Sequence, residues 1–297
     1  MGTAACSRCL SVPVMGKTYD IDRILDEVVT LPSLPGTVAH IMRLVDDPSS
    51  SLSLVAKAIS ADPPMAIKTL RLVNTAYYGL RQKVTTIEHA VVLLGTKVIK
   101  NLAFTATVLD IMKDEMDSYF FHSVACGVAM KTIAMTGPGG LPIESAEEAF
   151  VYGLLHDIGK VLFKKYLPQE AEEVRQLVLS EGVATYEAER RIIGVDHSEM
   201  GASIGLKWKL PEILINSIRG HHDISRCPTP DEARLAATTA VADFICTCCE
   251  IRSDGGPVRV SQDIWDASGL SSSHMPRIMN AFFGELPTID ELVSASE

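Results

Sequence analysis

Gly153-Leu154-Leu155-His156-Asp157-Ile158-Gly159-Lys160 brings an imidazole, a carboxylate and an amine together at the end of an apolar run. Phe150, Val151, Leu154 and Leu155 precede or enter it at the spacing of a helix face, so the helix runs into His156-Asp157. A neutral imidazole and a carboxylate are the donors that borderline or hard divalent cations take. Asp157 has two oxygens and could bridge two such ions, as two-metal sites require. Lys160 follows His156 by four residues, shares its helical face and could carry positive charge toward a phosphate.

Working outward, the periodicity is helical almost throughout. Ser145-Ala146-Glu147-Glu148 is a capping box that starts the helix leading to His156. Upstream, Ser118 opens a helix of small and apolar residues ending near residue 135, before a Gly-Pro-Gly-Gly loop. Downstream helices are expected over 168–180, 185–193, 197–208 and 211–222. Thr229-Pro230-Asp231-Glu232 is a second capping box, and it opens the helix that carries Asp243. Beyond Gly255-Gly256-Pro257, residues 258–261 hint at a strand and the rest reads as short helices.

In the first third, Ile21, Ile24, Leu25 and Val28 mark an amphipathic helix, and Val38, Ile41, Met42 and Val45 a second one that stops before Pro48. Further helices are expected over 52–61, 64–73, 86–94 and 96–113. The polar stretch 113–117 separates this group from the helices of the C-terminal part. The expectation is an all-α chain in two lobes, residues 20–115 and 116–297.

The chain is 297 residues long, 47% hydrophobic and 22% charged, which is ordinary globular composition. A net charge of −10 argues against nucleic-acid partners, which need a basic face to displace counterions. No run approaches the length of a membrane span, so no membrane partner is expected. No apolar segment of a secretory signal follows the start, and Cys6 stands where myristoylation needs Ser or Thr, so the expected setting is the cytoplasm. The seven cysteines form no disulfide framework and read as structural or incidental.

Of eight histidines, His122, His156, His197, His221 and His222 fall near helix ends or faces in one stretch. Asp243 lies in the apolar run Ala240–Ile245, where a carboxylate is costly unless paired, hydrogen-bonded or metal-bound. The alternatives are an exposed position for Asp243, a satisfied histidine at 122, and for His221-His222 a helix end whose dipole they complement. His40 and His89, in the first lobe, read as bystanders. Glu187 and Glu189 with Arg190 and Arg191 read as a solvated helix face, the arginines binding phosphate only if they face the cluster. Met112, Met116, Met130 and Met135 read as core filler.

In this order, His122, His156-Asp157, His197, His221-His222 and Asp243 resemble the HD superfamily of metal-dependent phosphohydrolases. Leu31-Pro-Ser-Leu-Pro-Gly36, Ile59-Ser-Ala-Asp62-Pro63, Leu72–Gly79 and Ile87–Gly95 resemble the N-terminal signature of one branch, the HDOD proteins. His197–Ala202 and Trp208–Pro211 fit the same family. The resemblance implies a two-lobed helical HDOD architecture with an HD-like C-terminal bundle. It implies one or two divalent ions (iron, manganese, nickel or zinc) on those seven residues. It also implies a bacterial signalling role, with signalling proteins or a phosphorylated small molecule as partner. HDOD proteins are generally non-enzymatic relatives; were this one active, Asp157 and Lys160 would carry the catalysis. It departs from HD-GYP phosphodiesterases after His222-Asp223, where Ile224–Pro230 contains no Gly-Tyr-Pro, and at Ser118, where enzymes with a larger metal cluster carry a glutamate. Hydrolysis of cyclic-di-GMP is therefore not expected, the alternative being a phosphohydrolase acting on a nucleotide or cyclic nucleotide.

Overall fold

A computed structural model describes residues 36–47, 49–112, 118–251 and 256–296. The helix expected at 21–28, the break at 31–35, Cys6, Cys9, Pro48, the stretch 113–117 with Met116, and Gly255 lie outside the described residues. Those described are all-helical, with no strand among them.

The N-terminal group consists of α1 (Gly36–Asp46), α2 (Leu52–Ser60), α3 (Pro63–Val73), α4 (Ile87–Leu94) and α5 (Thr96–Met112). Helix α3 starts where expected because the Asp62 carboxylate accepts from the Met65 amide at 3.2 Å, with proline in the first turn, where no amide is missed. Asn74 then fixes the following turn. Its side-chain amide donates to the Leu70 and Val84 carbonyls at 2.7 and 2.8 Å, and its oxygen accepts from the Val84 amide at 2.7 Å. The Leu72–Gly79 motif is thus a knot that ties the end of α3 to the segment leading into α4.

The C-terminal group consists of α6 (Ser118–Thr136), α7 (Ala146–Leu155), α8 (Ile158–Tyr166), α9 (Pro168–Glu181), α10 (Thr185–Ile192), α11 (His197–Lys207), α12 (Glu212–Gly220), α13 (Pro230–Cys248), α14 (Gln262–Ser268) and α15 (Met275–Ser296). Helix α6 is the axis: it is buried on nearly every side, with α7, α13 and α15 packed around it. The expected capping box of α13 is complete, Thr229 and Glu232 each satisfying the other's backbone amide. That of α7 is only half formed. Ser145 caps Glu148, but the Glu148 carboxylate reaches the Glu144 amide instead.

Three expectations are corrected. Residues 258–261 form no strand, having none beside them to pair with among the described residues. The last segment is one helix of 22 residues that continues through Pro287, held by Ile278, Phe282, Ile289 and Leu292 on its buried face. Met135 is not core filler but 66% exposed, whereas Met112 and Met130 are buried. One apolar core runs through both groups, with α5 lying against α7 and α15 against α3.

Two glycines set the spacing that the site depends on. A Cβ on Gly153 would collide with the Cys126 carbonyl, so α7 sits directly against the backbone of α6. A Cβ on Gly159 would collide with the His197 carbonyl, so α8 touches the first residue of α11. Gly159→Ala should therefore cost about 3 kcal/mol or more through overpacking. Gly284→Ala, in open space within α15, should stabilise by up to ~1 kcal/mol. Denaturant unfolding followed by circular dichroism measures both, and equal midpoints for the two variants would refute the close approach.

Candidate metal centre

The apolar helix ending at Leu155 breaks over His156 and Asp157. Asp157 leaves helical geometry at φ −102°, ψ 12°, and its carbonyl accepts the Lys160 amide to start α8. The break faces the Asp157 side chain inward. His122 comes from the second turn of α6, His197 from the first turn of α11, His221 and His222 from the turn after α12, and Asp243 from α13. The structure brings together all seven residues singled out by the sequence. Lys160 joins them, its ammonium 2.8 Å from Asp157 Oδ2. His40 and His89 lie exposed in the N-terminal group.

Asp157 is at the middle, 3% exposed. Its Oδ2 lies 3.4 Å from His156 Nε2 and 3.7 Å from His122 Nε2, while Oδ1 lies 3.2 Å from His197 Nε2 and 3.9 Å from His221 Nε2. Asp243 Oδ1 stands 3.2 Å from His122 Nε2. The far nitrogens explain this orientation. The Nδ1 atoms of His122, His156 and His221 meet the carbonyls of Ile251, Gly153 and Ile218 at 2.8, 2.7 and 2.6 Å. A carbonyl only accepts, so each Nδ1 carries the hydrogen and, in the neutral ring, each Nε2 turns a lone pair inward. Such fixing of the tautomer by an outer acceptor is the usual support of a metal-bound histidine.

The second half of the cluster turns three imidazole nitrogens toward one another. His197 Nε2 is 2.8 Å from His222 Nε2 and 3.3 Å from His221 Nε2, a range at which facing lone pairs repel unless a proton or a metal ion lies between them. Burial opposes a charge on His197, but the Glu189 and Asp157 carboxylates beside it together outweigh burial and push its pKa up to about 10. Burial and the neighbouring His156 and His197 push His221 down to about 3, and burial with His221 and His197 holds His222 well below its usual value. One proton on His197 thus satisfies the group in the metal-free chain. In the other half, burial again opposes charge on His122, yet its hydrogen bond to Asp243 together with the charges of Asp243 and Asp157 raises it to about 9. Buried His156 Nε2 makes no hydrogen bond at all. An orphaned inward nitrogen and a donor set of imidazoles and carboxylates fit divalent ions.

The reading of α10 as a solvated face is wrong at one position. Glu189 is 2% exposed, and its Oε2 accepts from both the amide and Nδ1 of His197, at 2.8 and 2.6 Å. Burial raises its carboxyl. Ala188 and Glu189 are the inner edge of α10; only the small neighbour, a weak signal, hinted at this in the sequence. The arginines do not bind at the cluster: Arg190 Nε donates to Asp196, the cap of α11, at 2.7 Å, and Arg191 pairs with Glu181 at 2.8 Å. Two further neighbours are not among the site residues the sequence suggests, Cys126 reading there as structural or incidental with the other cysteines. Cys126 lies one turn after His122, and Tyr186 stacks on His222 with ring centroids 4.5 Å apart.

Over the cluster, Tyr186, Lys160 and Thr247 meet Gly256, Pro257, Val258 and Arg259, leaving a cavity of about 20 Å³. That is room for about one water molecule. After His222 the chain makes a short turn, Ile224–Arg226, fastened by Arg226 to Asp196 and Glu199 at 3.5 and 3.4 Å.

Residues 31–224 match the HDOD domain. The chain belongs to the HDOD family. A Treponema pallidum protein described only as uncharacterized is 28% identical over 225 residues, 74% of this chain; the chain spans 43% of that relative's length. An HDOD domain protein of unknown function from Geobacter sulfurreducens shares the fold at TM-score 0.77 and 24% identity, covering 93% of this chain and 97% of its own. A candidate phosphohydrolase from Shewanella amazonensis does so at 0.72 and 22%, covering 92% and 98%. A candidate signal transduction protein from Marinobacter aquaeolei does so at 0.73 and 20%, covering 93% and 63%. These likenesses show the fold. Among the described residues, no helix is long and apolar enough to cross a membrane.

Glu189→Gln removes the charge that orients His197 and should weaken metal binding by about 10- to 100-fold with helix content unchanged; unchanged affinity in a competitive chelator titration would refute this role. Metal must displace the protons held by His122 and His197, whose pKa values stand near 9 and 10. Affinity should therefore rise with pH from neutrality toward those values, by up to about tenfold per unit for each proton released. Titration calorimetry in buffers of different ionisation enthalpy counts those protons.

Proposed function

We propose that this chain is a cytoplasmic regulatory HDOD module in which one or two divalent ions hold the C-terminal helices in a fixed arrangement, and that it acts by binding a signalling protein or a phosphorylated small molecule. His122, His156, Asp157 and Asp243 would hold one ion and His197, His221, His222 and Asp157 the other, with Asp157 bridging. When bound, such ions supply positive charge and a Lewis acid. Iron, manganese, nickel or zinc suits these donors. The described cysteines are free thiols, as a reducing compartment leaves them.

The observation that carries this reading is the closed mouth. A cavity of about 20 Å³ compares with roughly 300 Å³ or more for a typical ligand pocket, so a nucleotide has no place beside the cluster. The Ile224–Arg226 turn, pinned by its ion pairs, offers no loop to position a phosphodiester. On this reading the N-terminal lobe, residues 20–115, is the docking half and 116–297 the metal half. Exposed Leu52 and Leu54 of α2 with Val92 and Leu93 of α4 support that assignment.

The second reading, a metal-dependent phosphohydrolase, is favoured by Lys160 and Arg259 at the mouth, two cations beside a near-complete donor set. Asp157 and Lys160 would then act on a small phosphate. Metal-replete protein should show no cyclic-di-GMP turnover beside an active HD-GYP enzyme; turnover within about tenfold of that control, abolished by Asp157→Ala, would overturn the regulatory reading. Asp157→Ala should also lose both ions and melt at a lower temperature, because an ion bound only to the folded chain stabilises it. Element analysis of chelator-free protein reads this directly.

A further inference from the structure

We propose that Cys126 supplies a thiolate to the half of the centre built from His122, His156 and Asp243, making it a sulfur-containing subsite that takes a thiophilic ion, zinc, cobalt(II) or iron(II), in preference to manganese or magnesium. The proposal rests on the metal reading above and goes beyond it: neither the histidine/aspartate pattern nor the family resemblance includes a cysteine.

The geometry is that of ligands around one centre. Cys126 follows His122 by one helical turn on the buried face of α6, and its side chain is fully buried. Its Sγ lies 3.5 Å from His122 Nε2. One donor atom from each of His122, Cys126, His156 and Asp243 lies within 4.8 Å of all the others. For metal–nitrogen bonds near ~2.0 Å and metal–sulfur bonds near ~2.3 Å, neighbouring donors on one ion lie roughly 3.0–3.7 Å apart, whether the ion takes four ligands or, with the shared Asp157, five. The His122–Cys126 separation of 3.5 Å and the His122–Asp243 separation of 3.2 Å both fall in that range.

A hydrogen bond is a weaker account of the same contact. His122 already meets Ile251 O through Nδ1 and Asp243 Oδ1 through Nε2, which leaves it no third hydrogen for sulfur. His156 Nε2, close by, makes no hydrogen bond. The close seating of Gly153 on the Cys126 backbone brings α7, and with it His156, against this part of α6.

A sulfur donor changes what the subsite selects, because thiolates favour soft and borderline ions while carboxylate and water suit manganese and magnesium. The other half, His197, His221 and His222, has no sulfur in its group. The two halves are then chemically unequal, and a mixed-metal centre follows naturally. Binding also takes the thiol proton, which leaves to solvent as the metal–sulfur bond forms.

Cobalt(II) titration of the chelator-stripped full chain tests this, because a cobalt–thiolate bond adds an intense near-ultraviolet charge-transfer band to the visible ligand-field bands that imidazole and carboxylate give alone. The parent protein should show both sets. Cys126→Ser should lose the charge-transfer band and keep the visible ones, and its preference for zinc over manganese should fall by at least about tenfold. Cys246→Ser, which alters the thiol against Cys126, should keep the band. Visible bands without charge transfer in the parent, or a band that survives Cys126→Ser, would overturn the sulfur ligand while leaving the metal centre standing. No cobalt bands of either kind would overturn the metal centre itself. Absence of the band from the parent overturns the sulfur ligand whether or not a variant folds, and its presence is assigned to Cys126, among the seven cysteines, by its loss in Cys126→Ser or Cys126→Ala with helix content unchanged.

Discussion

The buried carboxylate of Asp157 is the constraint on which the rest depends. Removing an ionised group from water costs several kcal/mol, and an isolated one would rather take up a proton. Here His156, Lys160 and His197 more than offset burial and hold its carboxyl well below the usual range. Each of those groups must come from a different place: a helix break, the first turn of α8, the start of α11. The close glycine contacts, the caps and the outer carbonyls all keep these pieces at hydrogen-bonding distance. The fold is, in this sense, a scaffold for neutralising one carboxylate.

Much of this was legible in the sequence because it is local. Capping at Asp62, Thr86 and Thr229 and the left-handed Gly182 place helix ends to within a residue or two. The order of histidines and aspartates carried the site because the donors themselves are chemically unusual in apolar surroundings. What escaped was tertiary. Glu189 sits among alternating charges that look solvated, and only the docking of α10 onto the start of α11 makes it a buried acceptor. Cys126 is one small residue in an apolar helix. Nothing local marks it until Gly153 and His156 arrive from α7. The half-formed box at Ser145 shows the same limit, since Glu148 had two amides within reach.

A shared fold does not carry an activity along with it. Hydrolysis needs a substrate seated against the cluster, and that seat is made by what surrounds the donors. In this chain Tyr186 and Gly256–Arg259 occupy the space above them, and Arg226 clamps the turn that comes after His222. On the proposed reading the seven residues serve cohesion: six helices, α6, α7, α8, α11, α12 and α13, begin, end or pass at one point.

Helix α15 also reaches back to the N-terminal group. The Glu291 carboxylate accepts the Ala76 amide at 2.9 Å across 215 residues of sequence, and α15 lies against α3 and α6. During synthesis the N-terminal helices leave the ribosome long before that partner exists. Contacts so distant along the chain are slow to form, because loop closure must precede any gain from them. The nascent α3 and its knot at Asn74 therefore wait, the flank that α15 covers still open, until some 215 further residues have emerged, an interval in which a chaperone could hold that apolar face.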